Sequence, residues 1–175
     1  WSAVKKFFPK VGQVLDIGSG RGISAYAFAK DGWQVHALEP DSSDLVGAGA
    51  IKKLADVSKL KIKVNQTWGE KLPFADSTFD LVYGRAVLHH AKDLKQLCKE
   101  ASRVLKPNGM FIFTREHVIS KQEDLNVFLE NHPLHNLYGG ENAYLLKEYK
   151  NAIIESGINL RFVLNPMWSD INLYP

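Results

Sequence analysis

The residues with the clearest chemical potential form a glycine turn behind a short apolar run. Residues 14–22 read Val-Leu-Asp-Ile-Gly-Ser-Gly-Arg-Gly, so Asp16 precedes three glycines at alternate positions. Glycine accepts positive φ and lets another molecule approach the backbone. A helical pattern begins at Ile23, and a helix N-terminus offers unpaired N–H groups and the positive end of a dipole. The stretch therefore predicts a buried strand, a tight turn and a helix start that hold a ligand with an anionic group.

A second acid, Glu39, narrows the choice of ligand. It follows the turn by about 20 residues, at the end of the second predicted strand, where a carboxylate can accept hydrogen bonds from ribose hydroxyls. A dinucleotide turn has G-x-G-x-x-G, with its third glycine where this chain has Ile23. The spacing here is G-x-G-x-G, and Asp16 would repel a pyrophosphate but suits an ammonium group. The pattern favours S-adenosylmethionine over the nicotinamide cofactor of an oxidoreductase.

Alternating helix and strand patterns supply the scaffold. Strands are predicted at 13–17, 33–38, 61–65, 79–83, 110–114 and 159–164, and helices at 2–8, 23–30, 43–55, 93–105 and 143–156. This alternation predicts an α/β fold: a Rossmann-like, doubly wound, mostly parallel sheet with helices on both faces. Gly84 is expected to break the fourth strand, and the tail after Pro166 to add a short strand. Residues 116–142 lack a clean period and are expected to form a helix and a long functional loop.

Composition limits the functional classes. The 175 residues suffice for one domain, 1–175, which we expect to be incomplete at one or both ends because the chain starts and stops abruptly. The net charge of +3 comes from mixed charges, which favours a solvated surface over a nucleic-acid patch. The single cysteine, Cys98, excludes an intramolecular disulfide and suggests a cytoplasmic setting. No apolar run is long enough for a membrane span. The oligomeric state stays open.

Four segments resemble the class I S-adenosylmethionine-dependent methyltransferases, of the small-molecule type that includes the ubiquinone and menaquinone biosynthesis enzymes. The resemblance covers roughly residues 10–115. It is specific for the fold and the cofactor and says little about the substrate. The segments that carry it are Val14–Gly22, Leu38–Pro40, Gly69–Asp80 and Ala101–Phe113.

The resemblance implies a role for each matching cofactor residue. Asp16 and the turn Gly18-Ser19-Gly20 would hold the methionine end, and Glu39 the ribose, with Pro40 beside the adenine. Residues 68–70 would lie along the adenine edge. Trp68 departs from the acid or small polar residue usual in the family, so it either stacks on the adenine or packs in its loop. Gly69 would contribute its backbone, while Glu70 either joins it or serves as a structural acid.

Near the transferred methyl, the resemblance implies that Gly84 and Arg85 form the floor beside the sulfonium. Arg85 is a candidate to bind an anionic substrate or to pair with Glu116. His89 is the first candidate for a general base, which is needed only if the acceptor must lose a proton. A structural role for His89 is equally open. The remaining chemistry is positioning two reactants and excluding water.

The predicted activity is methyl transfer to an O, N or C centre of a small-molecule acceptor. Nucleic-acid acceptors are disfavoured, because residues 83–86 lack the polar-Pro-Pro-aromatic run of base-amine enzymes and Cys98 lies on an apolar helix face. The alternative is a non-catalytic, regulatory module that binds the same cofactor. His132, His135 and Tyr138 are expected to line the acceptor pocket or a lid. No metal is expected, since His117, His132 and His135 match no metal motif and are more typical of surface histidines.

Overall fold

Five parallel strands form the central sheet of the computed structural model, which describes Val4 and residues 10–164 except the side chain of Tyr138. The strands are β1 (Gln13–Ile17), β2 (Gln34–Leu38), β3 (Ile62–Asn65), β4 (Phe79–Arg85) and β5 (Leu105–Thr114). Their order in the sheet is β3-β2-β1-β4-β5, which confirms the predicted fold class. β1 pairs with β2 on one side and with β4 on the other, so the order reverses at β1. A ligand of such a sheet binds at this switch point, beyond the carboxyl ends of the strands.

Helices cover both faces because neighbouring residues of β1 point to opposite sides. Val14 packs with Phe28 and Ile51, whereas Leu15 packs with Val82 and Ala101. A third cluster joins the helix before β5 to the last described helix. The helices are α1 (Ile23–Lys30), α2 (Ala48–Ser58), α3 (Leu94–Val104), α4 (Asp124–Asn131), α5 (Pro133–Tyr138) and α6 (Leu146–Glu155), with a 3-10 turn at Leu88–His90.

The region predicted as a helix and a long loop contains more regular structure than expected. It holds α4, α5 and β6 (Val118–Ile119), which pairs in parallel with β7 (Tyr144–Leu145). Because β7 takes the first part of the predicted helix 143–156, α6 begins only at Leu146. The end of the segment 116–141 returns to the carboxyl ends of the strands, here called the carboxyl edge. There the Gly140 carbonyl oxygen lies 3.1 Å from His90 Nδ1.

Two predicted elements differ from the structure, since one helix starts later than predicted and one strand is absent. The helix predicted from Ser43 begins at Ala48, because the Ser43 hydroxyl accepts hydrogen bonds from the N–H groups of Leu45 and Val46 and closes a separate turn. Residues 159–164 form no strand, since a strand requires a hydrogen-bonded neighbour and none of the described strands pairs with them. Of the helix predicted at 2–8 only Val4 lies within the described part, and the tail after Pro166 lies outside it.

Gly84 does not break the fourth strand. β4 continues to Arg85 and pairs there with Thr114 of β5. The strand tolerates glycine because the ring of Phe113 fills the space that a side chain would occupy. Gly84 is thus a packing position of the sheet as well as a predicted site residue.

Two further sequence predictions have a structural outcome. Cys98 is fully buried, and burial raises the pKa of its thiol to about 12, as expected for a core residue. Among the described helices none has the length and apolar composition needed to cross a membrane.

Candidate functional site

Asp16, the second-last residue of β1, is a buried acid that is held by hydroxyl groups. Its carboxylate accepts hydrogen bonds from Ser19 Oγ and Ser24 Oγ, both at 2.7 Å. Burial raises the pKa of Asp16 from 3.8 to about 6, and the negative charge of Glu39 adds to the increase. A cationic group placed beside Asp16 would relieve this cost. The site can therefore favour an ammonium group, as the sequence predicts.

Glu39 directly follows β2 and faces the glycine turn. Its Oε2 accepts a hydrogen bond from the Gly20 N–H at 2.8 Å, and its Oε1 accepts one from the Asp41 N–H at 3.0 Å. The side chain is almost entirely buried, and each oxygen keeps a further lone pair. These bonds fix the carboxylate at the carboxyl edge, where the ribose of an adenosine ligand is predicted.

The three glycines of the turn have different neighbours. A Cβ at Gly18 would collide with Val87, and one at Gly22 would press on Ile51, so both positions are packed by protein. Gly20 has a φ of +52°, and the nearest atom to its Cβ direction is Val46 O at 3.9 Å. Only at Gly20 does the backbone border open space. The turn thus leaves room for a ligand to approach the backbone at Gly20.

The predicted adenine edge divides into exposed and structural residues. Trp68 is 57% exposed, and the Lys92 ammonium lies 5.3 Å from its ring centroid. Gly69 is packed, since a Cβ there would lie 3.0 Å from Leu97. The Glu70 carboxylate accepts the Lys92 N–H at 2.9 Å, which ties its loop to the start of α3. Trp68 is therefore exposed enough to stack on a ligand. Glu70 makes the loop contact expected of a structural acid.

Arg85 is the last residue of β4, Glu116 follows β5 by two positions, and no ion pair joins them in the described part of the chain. Arg85 is exposed, whereas Glu116 accepts hydrogen bonds from the N–H groups of Val87 and His89, both at 3.1 Å. The Glu116 carboxylate is thus occupied by the loop after β4, which leaves Arg85 available to a substrate. Ala86 and Arg115, with φ of +57° and +61°, adopt the left-handed conformation next to these residues. Such strain concentrates at functional sites, and sequence reasoning missed it.

His89 is buried, with only 1% of its surface exposed. Its Nδ1 lies 2.7 Å from Glu116 Oε2, in addition to the backbone bond to the same oxygen. This double contact favours the structural role over the role of general base.

A group of imidazoles surrounds Glu141, which the sequence analysis did not single out. The rings of His89, His90 and His117 each place Nε2 at 3.8 or 3.9 Å from Glu141 Oε2. The ring of His132 lies against His117, with centroids 5.1 Å apart. Burial lowers the pKa of His117. Glu141 follows two glycines in a segment without pattern, so no sequence signal identifies it.

The chain shares its central part with a known family. Residues 15–113, from β1 to the end of β5, match the model of the family described as a methyltransferase domain. The match includes the glycine turn, Glu39 and Gly84. It ends before the segment 116–141 that carries Glu116 and Glu141.

Relatives and solved structures agree with this match. YcgJ of Bacillus subtilis, an uncharacterized methyltransferase, is 30% identical over 128 residues, which cover 69% of this chain and 46% of the relative. Its crystal structure superposes with a TM-score of 0.71 at 25% identity, over 83% of this chain and 61% of that one. Sarcosine/dimethylglycine N-methyltransferase of Halorhodospira halochloris is 38% identical over 102 residues, or 58% of this chain and 36% of the relative. This chain spans less than half of either curated relative.

Proposed function

The chain belongs to the methyltransferase-domain family, and from this premise we propose that it transfers a methyl group from S-adenosylmethionine to a small-molecule acceptor. The observation that carries the proposal is the open side of Gly20, in a turn that follows the buried Asp16 and whose Gly20 N–H donates to the buried carboxylate of Glu39. A pyrophosphate would meet two negative groups there. An adenosine ligand with an amino-acid end meets a partner for its ammonium and a partner for its ribose.

The residues that would hold the cofactor line the carboxyl edge. Asp16 would hold the ammonium beside the open backbone at Gly20, while Glu39 would accept the ribose hydroxyls. The adenine would lie between Pro40 and residues 68–70, with Trp68 stacking. When bound, the cofactor supplies a methyl group that its sulfonium already activates, so the protein chiefly positions the acceptor and excludes water. Gly84 and Arg85 would form the floor at the reacting end.

The acceptor side supports a small molecule. Arg85 is exposed at the end of β4 and is free of Glu116, so it offers a cation to an anionic acceptor. The segment 116–141, with His132, His135 and Tyr138, returns over the same edge and would cover the acceptor as a lid. One relative, sarcosine/dimethylglycine N-methyltransferase, has a small amino acid as acceptor in its name. An O, N or C centre of such a metabolite is the acceptor we propose.

The test is methyl transfer from the labelled cofactor to fractions of a cell extract. We expect labelled product only in the low-molecular-weight fraction. Glu39→Gln should reduce the rate at subsaturating cofactor by at least about tenfold, because a charge-assisted hydrogen bond to the ribose is worth ~1.5–3 kcal/mol. Asp44→Asn is the matched control, since Asp44 is an exposed acid near α2 paired with Lys53. Label that enters only nucleic acid or protein would contradict the acceptor class. Equal activity of wild type and Glu39→Gln would contradict the cofactor site.

A further inference from the structure

We propose that His89, His90 and Glu141 form a binding site for a divalent transition metal of the Zn²⁺ class. The three ligand atoms lie within 4.8 Å of one another. Glu141 Oε2 is 3.8 Å from His89 Nε2 and 3.9 Å from His90 Nε2. Ligand atoms around tetrahedral zinc lie about 3.3 Å apart, as bond lengths near 2.0–2.1 Å require. The two distances to Glu141 exceed this value by about half an ångström, and rotation of the half-exposed ring of His90 can bring its nitrogen closer.

The hydrogen bonds of the two rings direct the correct nitrogen toward Glu141. His89 Nδ1 lies 2.7 Å from a carboxylate oxygen of Glu116, and His90 Nδ1 lies 3.1 Å from the carbonyl oxygen of Gly140. Both partners only accept hydrogen bonds, so each Nδ1 must donate its proton. A neutral ring then presents an unprotonated Nε2. Metal-binding histidines are typically oriented in this way, by a carboxylate or a carbonyl on the other nitrogen.

Glu141 faces these lone pairs without a hydrogen bond. Its Oε2 is buried and has no hydrogen-bond partner, and only 10% of the side chain is exposed. A buried carboxylate opposite two unprotonated nitrogens is unfavourable unless a cation lies between them. The two imidazoles and the unpartnered oxygen of Glu141 thus indicate a site for a cation between them.

A second set, His117, His132 and Glu141, shares the acid but fits less well. His132 Nδ1 accepts the His135 N–H at the start of α5, so this nitrogen is occupied and a neutral ring carries its proton on Nε2. His117 Nε2 lies 3.8 Å from Glu141 Oε2 and is the candidate for a fourth ligand of the first set. Two or three imidazoles with one carboxylate suit Zn²⁺ and disfavour Mg²⁺, which prefers oxygen ligands and water.

The position of the site suggests what the metal would do. His89 and His90 belong to the loop after β4, and Glu141 to the end of the segment 116–141. A metal there would link this segment to the loop after β4, beside the place proposed for the acceptor. This inference does not depend on methyl transfer, because metal binding can be measured directly.

The experiment is a calorimetric titration of the chelator-treated chain with Zn²⁺, with Mg²⁺ titrated in parallel. We expect one Zn²⁺ per chain and no Mg²⁺ binding. Glu141→Gln and His90→Ala should each weaken Zn²⁺ binding by more than about tenfold, since losing even an outer-shell partner costs 10–100-fold. His90 is about half exposed, so its substitution leaves the core intact if Glu141→Gln fails to fold.

His132→Asn is the matched control. Asparagine can accept the same backbone N–H at a helix start, so this variant should bind Zn²⁺ within about twofold of wild type, given that it removes no ligand of the proposed set. Absence of Zn²⁺ binding to the wild-type chain would overturn the proposal, and the carboxylate would then face protonated imidazoles. Unchanged affinity in His90→Ala, or loss of binding in His132→Asn, would overturn the assignment of ligands.

Discussion

At the scale of single residues, the burial of Asp16 in the proposed cofactor site lowers the stability of the fold. Its carboxylate is desolvated, and two hydroxyl groups compensate only part of that cost. The raised pKa of Asp16 has a direct consequence for stability. Below about pH 3 the group is protonated in the folded and the unfolded chain alike. As the pH rises from about 4 to about 6, the unfolded chain loses its proton first, so the free energy of unfolding falls.

Asp16→Asn should remove this pH dependence. We expect the variant to gain stability relative to wild type between pH 4 and pH 6, by up to ~3 kcal/mol, and the difference to stay constant above that range. The same variant should bind the cofactor more weakly, because it has no charge for the ammonium. Chemical unfolding of both proteins across this pH range is the measurement. A stability difference that does not vary with pH would show that the pKa of Asp16 is not raised.

At the scale of elements, the contact between β4 and β5 determines what Gly84 does. The Phe113 side chain lies where a Cβ of Gly84 would be. We expect Gly84→Ala to lower the free energy of unfolding by about 1–3 kcal/mol, as overpacking does. In a Phe113→Leu background the same change should cost markedly less, because the smaller side chain leaves room. A double-mutant cycle measures this coupling. An equal cost in both backgrounds would contradict the packing role.

The elements that sequence patterns predicted well are those whose signals are local. The glycine turn, with its flanking strand and helix, follows the predicted bounds, since apolar periodicity and positive-φ glycines act over a few residues. Ser43 misled the prediction of α2, because the same hydroxyl that caps a helix can close a separate turn. The strand predicted at 159–164 is absent for a different reason. An extended, alternating segment becomes a strand only where a neighbour offers hydrogen bonds.

At the scale of the whole molecule, the fold places the candidate site residues at the carboxyl ends of the strands. Asp16 and Glu39 were identifiable because Asp16 lies near the end of β1, Glu39 directly follows β2, and the patterns of both strands are readable. Glu141 was not identifiable, and Glu116 was considered only as a partner for Arg85. Their contacts with His89 and His90 span 27 to 52 residues of sequence and form only in the tertiary structure. Sequence spacing can detect a metal motif on one helix, but it cannot detect three loops that converge.

The most direct test of the central claim is a calorimetric titration of the chain with S-adenosylhomocysteine, the demethylated product of the cofactor. This ligand carries the same adenosine and the same amino-acid end, so it should fill the site between Asp16, Gly20 and Glu39. We predict one binding site of micromolar affinity, and no heat when NAD replaces the ligand. A folded chain that binds NAD instead, or that binds no S-adenosylhomocysteine, would contradict the account.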